Sequence, residues 1–289
     1  MTQPVALPRT SNPSHSKQTA EYSSMVLTML RGLYNRASEA SRPDTVFFDP
    51  AATLIAPKIE LDYAKHFGKP TTGQVVRAMT IDHLLRHWLT TYPNGQVVAL
   101  GDGLETQCYR VDNGKVKWFS VDLPETMALR TRLIPDTDRR RNITCSALDT
   151  RWMDEINPKE PVFVTGAGLF KFLQPKDVRT LVGMIATRFM SSEIVFDVIP
   201  RLVSEFSIRG WLVNGKYYTE PTMPFGLDRH ERDSIKTWHP RIGEVRDVPF
   251  VPVRGTRDMI VRPTLRKLPF IGDHTFWLAH VRCFAALAH

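Results

Sequence analysis

Between residues 21 and 36 the apolar positions Met25, Val26, Met29, Leu30 and Leu33 recur at three- and four-residue spacing, which predicts a helix with one buried face. Ser41-Arg42-Pro43-Asp44 breaks it, and Asp49-Pro50 restarts the chain into a second, short helix. A longer amphipathic helix is predicted over 75–90, with Val75, Val76, Met79, Leu84, Leu85, Trp88 and Leu89 inward, ending at the turn Tyr92-Pro93-Asn94-Gly95. The pattern then changes to short apolar runs. Residues 96–100, 116–121, 142–147, 161–165 and 193–199 predict strands, and 125–133 and 175–189 predict helices between them. Strands joined through helices need crossover connections, so the predicted fold is α/β and Rossmann-like: a mostly parallel sheet with helices on both faces. Beyond Pro200 the pattern loosens, giving an insert over about 201–245, and two last strands at 247–253 and 275–284 bring the sheet to seven. The chain divides into a loose, Pro- and Ser-rich tail (1–20), an N-terminal helical cover (21–92) and a core (93–289) that carries the insert.

Composition narrows the class. The chain has 289 residues, 42% apolar and 24% charged, which excludes global disorder. No run approaches the ~20 apolar residues of a membrane helix, and the first residues lack the apolar segment of a secretory signal. Cys108, Cys145 and Cys283 are too scattered for a disulfide framework or zinc cluster, so a reducing cytoplasm is expected, with no metal. The 38 Lys and Arg exceed the 30 Asp and Glu by eight, but the cations are dispersed. The densest run, Arg139-Arg140-Arg141, sits beside Asp136 and Asp138, and no nucleic-acid-binding pattern is present. An anionic ligand or a solvated face accounts for the excess better than nucleic acid.

The most informative stretch is VVALGDGLETQCYR. A strand running into Gly101-Asp102-Gly103 lets the backbone turn sharply and lets a ligand approach without meeting a Cβ. Asp122 follows 21 positions after Gly101, at the end of the second strand, where a carboxylate accepts from both ribose hydroxyls of a nucleoside. The ligand is then a dinucleotide or S-adenosylmethionine. A dinucleotide site wants a third glycine where Thr106 stands, and its pyrophosphate would face Asp102 and Glu105. S-adenosylmethionine carries a sulfonium and an ammonium instead, so charge favours the methyl donor.

Several segments in order resemble the leucine carboxyl methyltransferase family, in particular its bacterial branch of tetracenomycin-type polyketide O-methyltransferases. They are RPDTVFFDPAA, VVRAMTIDHLLRHWL, VVALGDGLETQCYRV, VKWFSVDLPETMALR, SALDTRWMDEI, GLFKFL and EIVFDVI. The resemblance covers roughly 42–239 and implies a class I methyltransferase fold, with S-adenosylmethionine as donor and S-adenosylhomocysteine as product. It implies that Arg77 pairs with the methionine carboxylate and that Gly101 to Gly103 pass under the methionyl and ribose groups. Asp122 would hold the ribose, Leu123 would pack on adenine, and Ala147 and Leu148 would line the adenine edge, with Asp149 either binding near adenine or only capping a turn. An Arg satisfies a carboxylate bidentately, which makes Arg77 sensible on its own chemistry.

The chain departs from that family where its usual AEGLLMYL reads GAGLFKFL, leaving Ala167 in place of a Glu. Asp102 is expected to supply the missing charge to the donor's ammonium. Glu105 and Gln107 replace the family's usual Asp and Arg. The acceptor is expected to be a small organic molecule methylated on a hydroxyl or carboxylate, a polyketide or another secondary metabolite. A carboxylate needs no base, whereas a phenol may require one, and Arg201, Tyr217, His230 and His239 are the candidates in the insert. Trp88, Trp118, Trp152 and Cys108 read as packing residues. Two rival readings remain: a donor-binding module without methyl transfer, suggested by Ala167 and Glu105, and a nicotinamide-dependent oxidoreductase, opposed by Thr106.

Overall fold

The computed structural model describes residues 22–212, 217–252, 260–268 and 270–284. The tail expected over 1–20 lies outside the described residues. Four helices precede the sheet: α1 (Ser24–Ala40), α2 (Pro50–Ile55), α3 (Tyr63–Phe67) and α4 (Gly73–Thr91). Ser23 caps α1 through the Val26 N–H, and Asp49 caps α2 through the Ala52 N–H, with Pro50 at its first position. Then come β1 (Gln96–Leu100), α5 (Gln107–Arg110), β2 (Lys117–Asp122), α6 (Pro124–Leu133), β3 (Arg140–Thr144), β4 (Val162–Gly166), α7 (Pro175–Arg188) and β5 (Ser192–Val198). The chain ends through α8 (Arg201–Ile208), β6 (Ile242–Val248), α9 (Arg262–Lys267) and β7 (Trp277–Cys283).

The seven strands lie in the order β3-β2-β1-β4-β5-β7-β6. β1 to β5 are parallel, and β7 runs antiparallel to both β5 and β6. This is the mostly parallel, class I methyltransferase-like sheet that the sequence predicts. Its strand order reverses between β1 and β4, and in such sheets the crevice outside the carboxyl ends at that reversal is the binding site.

Alternation along each strand decides what covers each face. Val98 and Leu100 join α7 and Trp152 in one core, while Val97, Ala99 and Trp118 join α1, α2 and α4 in the other. The N-terminal helices are therefore one of the two helical layers, packed on the sheet itself. Trp88, Trp118 and Trp152 are all buried, as expected of packing residues. Cys108 is buried too, and burial pushes its thiol up to about 11, which suits packing and opposes redox chemistry. The arginine run leads into edge strand β3: Arg139, just before it, pairs with Asp112, and Arg141 within it faces Asp136, a charged edge of ordinary kind.

Two strands depart by more than two residues from the bounds the sequence predicts: β3 spans Arg140–Thr144 rather than 142–147, and β6 departs further. β6 spans Ile242–Val248 rather than 247–253, so the insert ends before it. The apolar run after Asp247 is interrupted by Pro249 and Pro252, which cannot donate to a ladder, and pairing with β7 falls on the more polar residues before them.

Candidate functional site

A cavity of about 410 Å³, within the range of small-molecule sites, opens at the carboxyl ends of β1, β2 and β4. Its floor is Gly101–Glu105, one wall is Val121–Leu123 with Thr126, and Ser146 and Ala147 close that side. Arg77 and Gln74 of α4 stand near Ala167–Leu169, and α1 roofs the space with Met25, Thr28, Met29 and Arg31. The segment Glu220–Thr222 completes the rim.

The strand ends explain the placement. Val121 pairs with Leu100 in register, so Asp122 stands opposite the first residues of the glycine turn. The Gly103 N–H donates to Asp122 Oδ2 at 2.7 Å, and the Leu123 N–H donates to Oδ1 at 2.7 Å. Burial raises this carboxyl above its ordinary range, and the two N–H donors offset part of the rise. A carboxylate has about four lone-pair sites, so two remain to accept from hydroxyls of a ligand. Gly103 has φ +50° and an added Cβ would sit 2.7 Å from Met29 Cγ, so only glycine lets α1 close this tightly on the loop.

Arg77 is held in place by a residue the sequence reading did not single out. Its Nη1 lies 3.0 Å from Asp197 Oδ2 near the end of β5, and the Gly168 N–H donates to the other oxygen of Asp197. Gly168 has φ +82°, and a Cβ there would meet Arg77 Nη1 at 2.9 Å. Asp197 thus fixes both the arginine and the turn beneath it. A signal was present: an acid one position before the end of β5, directly after the apolar run Ile194–Phe196.

The glycine loop is braced from below and from above. Arg130 of α6 donates to the Gly103 and Glu105 carbonyls at 2.7 and 3.1 Å and to Ser120 Oγ at 2.7 Å, and pairs with Asp102 at 2.8 Å. The charge expected of Asp102 at the donor's ammonium is instead committed to Arg130: Asp102 borders the cavity, but its carboxylate turns to the interior, where it also accepts from Ser120 Oγ at 2.6 Å. Burial pushes that carboxyl up, Arg130 and Ser120 pull it partly back, and it rests at about 6. Glu105 shows the opposite balance. Burial would raise it, but Arg36 at 2.9 Å and Arg110 at 2.7 Å hold it down at about 2. Arg36 also donates to the Leu104 carbonyl at 2.7 Å, and Arg110 pairs with Asp49 and Asp82, so the loop is tied to α1, α2 and α4.

Of the residues expected to bind the donor, Arg77, Gly101, Asp102, Gly103, Asp122, Leu123 and Ala147 border one cavity. Leu148 and Asp149 do not line it. Leu148 packs against the core, and Asp149 caps the 3-10 helix Thr150–Glu155 and pairs with Arg151. None of the acceptor-side candidates lines it either. Arg201 pairs with Glu231, His239 meets Thr187, His230 lies beside Asp273, and the Tyr217 ring is tilted against His66. At that end stand Lys171 and Glu220 instead, 2.8 Å apart, with Arg31 3.3 Å from the other oxygen of Glu220. Burial would raise Glu220, but the two cations bring it below its ordinary range. Among the described residues no group of His, Cys, Asp and Glu could hold a metal, and no helix is long and apolar enough to cross a membrane.

Comparison with known proteins identifies the fold and the family. The chain is 27% identical over 175 residues to the tetracenomycin polyketide synthesis O-methyltransferase TcmP of Streptomyces glaucescens, a match covering 60% of this chain and 65% of that protein. The CurJ carbon methyltransferase shares its fold, with a TM-score of 0.53 at 10% identity over 91% of this chain and 67% of that one. The family model for leucine carboxyl methyltransferases matches residues 30–186, more than half of the sequence, from within α1 to within α7. The chain belongs to the leucine carboxyl methyltransferase family.

Proposed function

We propose that this protein is an S-adenosylmethionine-dependent O-methyltransferase acting on a small organic acceptor, with the donor lying across the carboxyl ends of β1, β2 and β4. The observation that carries this reading is the Asp122 carboxylate facing the Gly101–Gly103 turn, in the same cavity as Arg77. The cavity chemistry fits the donor: a carboxylate with accepting capacity for ribose hydroxyls, a guanidinium for an amino-acid carboxylate, and Leu123, 44% exposed, as an apolar surface for a base. When bound, the donor supplies an electrophilic methyl group on a sulfonium sulfur. The chain's residues bind and orient. Asp122 and the glycine turn fix the nucleoside, Arg77 held by Asp197 fixes the methionyl end, and α1 shields the reacting atoms from water. The curated relative, an O-methyltransferase of tetracenomycin polyketide synthesis, supports a polyketide-like acceptor.

Calorimetric titration tests the donor. S-adenosylmethionine and S-adenosylhomocysteine are expected to bind and NAD is not, and Asp122→Asn should weaken donor binding about ten- to a hundredfold. Binding of NAD without either sulfur nucleoside overturns the reading. Ala167 leaves the methionine end without the family's carboxylate, which favours the rival of a donor-binding module. A methylated product from a panel of phenols and carboxylic acids excludes that rival.

A further inference from the structure

Two of the differences between the turn after β4 and the family pattern change its charge. Besides Ala167 for Glu, it carries Lys171 where AEGLLMYL has Met. Both residues border the cavity, so the turn has exchanged a negative charge for a positive one at the wall of the site. Lys171 is 16% exposed, its ammonium is 2.8 Å from Glu220 Oε1, and it lies 4.7 Å from the centre of the Phe172 ring. Glu220 bridges it to Arg31 of α1. The bridge fixes two cations at one rim without using up their donors, since an ammonium has three N–H groups and a guanidinium five. Around them Met25, Phe172 and Pro221 give apolar wall. Among the described residues no histidine lines the cavity, and its acids other than Asp122, assigned above to the donor's ribose, are engaged: Asp102 by Arg130, Glu105 by Arg36 and Arg110, Glu220 by this bridge.

We infer that Lys171 and Arg31 form an oxyanion-selective acceptor subsite, and that the accepted substrate is an aromatic or similarly apolar molecule presenting an ionised oxygen. The inference rests on the methyl-transfer reading above and names its second substrate. The acceptor oxyanion forms its new bond to the methyl carbon while the carbon–sulfur bond breaks and its electron pair returns to sulfur. The negative charge of the acceptor and the positive charge of the sulfonium cancel, so no proton leaves and no general base is needed. The ionised oxygen belongs to a carboxylate or to an acidic phenol, and the two cations recognise what these share.

The test is acceptor binding in the presence of S-adenosylhomocysteine, by calorimetry. The probes are 2-naphthoate against 2-naphthamide, and ionised 4-nitrophenol against its methyl ether. Wild type should bind at least one anion about tenfold or more tightly than its neutral partner, and Lys171→Met should bring that ratio towards one. Which anion shows the preference distinguishes carboxylate from phenolate. Affinity for S-adenosylhomocysteine should change less than about twofold in the variant, because the side-chain contacts of Lys171 are to Glu220 and Phe172 and to none of the residues assigned to the donor. Lys171→Gln serves the same purpose should the Met variant fail to fold. Anions bound no better than neutral partners by wild type, or not bound at all, overturn the inference, as does a ratio that survives both variants. Failure of wild type to bind the sulfur nucleoside in the same titrations is a separate result, which strikes the methyl-transfer reading instead.

Discussion

The two ends of the cavity are held by different means. At the end proposed for the donor, Arg130 is 1% exposed and bonds two loop carbonyls, a hydroxyl and a carboxylate, while Arg36 and Arg110 tie the same loop to three helices. At the end proposed for the acceptor, one carboxylate bridges two cations that are 16% and 30% exposed. Backbone carbonyls bonded by buried guanidinium groups leave the glycine loop little freedom to shift. Side chains meeting at a half-open rim can be exchanged without disturbing a strand or a turn. The difference matches the tasks: a donor common to a family needs a fixed cradle, whereas acceptor choice needs positions that tolerate change.

The strongest way to break this contrast is Arg130→Met. It leaves Asp102 buried without its cation and strips two loop carbonyls of a donor. Removing one partner of a buried pair costs about 3–5 kcal/mol, and urea unfolding should show a loss of that size. Glu220→Gln at the other end should cost only about 0–1 kcal/mol, because its pairs are part-exposed. Equal losses at both ends would abolish the distinction.

Arg130 also shows which parts of the site were legible beforehand. The Gly-x-Gly turn, Asp122 and five of the parallel strands follow from one local rule, a short apolar run closed by turn residues. Arg130 sits in MALRTRL and looks like any solvated helix cation, yet it shares a stripe with Thr126, Met127 and Leu133, the buried residues of α6. Arg36 shares the same kind of stripe with Leu33 and Ala37. A cation on a helix's apolar face was the available clue to both braces. The Lys171–Glu220–Arg31 bridge had none, because its members are 49 and 189 positions apart in the chain and meet only through the tertiary fold. Leu148 and Asp149 went astray for a local reason: the chain after β3 turns at once into a capped 3-10 helix, which carries them off the cavity.

A second prediction sharpens the donor end by separating its two acids. Glu105 sits at about 2 when folded against an ordinary 4.5, so its stabilising contribution is complete above pH 4.5 and is lost as pH falls towards 2. Asp102 sits at about 6 against 3.8, so the folded state binds the extra proton and its contribution falls as pH rises from 3.8 through 6. Urea midpoints measured from about pH 2 to 8 should therefore separate the variants. Relative to wild type, Glu105→Gln should lose stability above pH 4.5 and close the gap towards pH 2–3. Asp102→Asn should differ from wild type by an amount that changes between pH 4 and 6 and is flat above about 7. Parallel profiles in both variants would mean that neither acid is held as the contacts around it require.

The smallest expected effect lies at the junction of the two ends, at Asp197. Its two oxygens take the Arg77 guanidinium and the Gly168 N–H, and it does not line the cavity. It acts through Arg77, as a positioning residue. Asp197→Asn keeps the shape, retains one acceptor for either the Gly168 N–H or Arg77, and removes the charge that orients the guanidinium. Donor affinity should fall about three- to tenfold, corresponding to roughly 1 kcal/mol of a charge-assisted bond. A structural role alone would lower stability without touching selectivity, so the deciding readout compares S-adenosylmethionine with 5′-methylthioadenosine, which lacks the amino-acid end. Loss confined to S-adenosylmethionine identifies Asp197 as the residue that aims Arg77 at the carboxylate. An equal loss for both nucleosides would place its effect in the whole β4–β5 edge, and the turn at Gly168 would then be what the carboxylate holds.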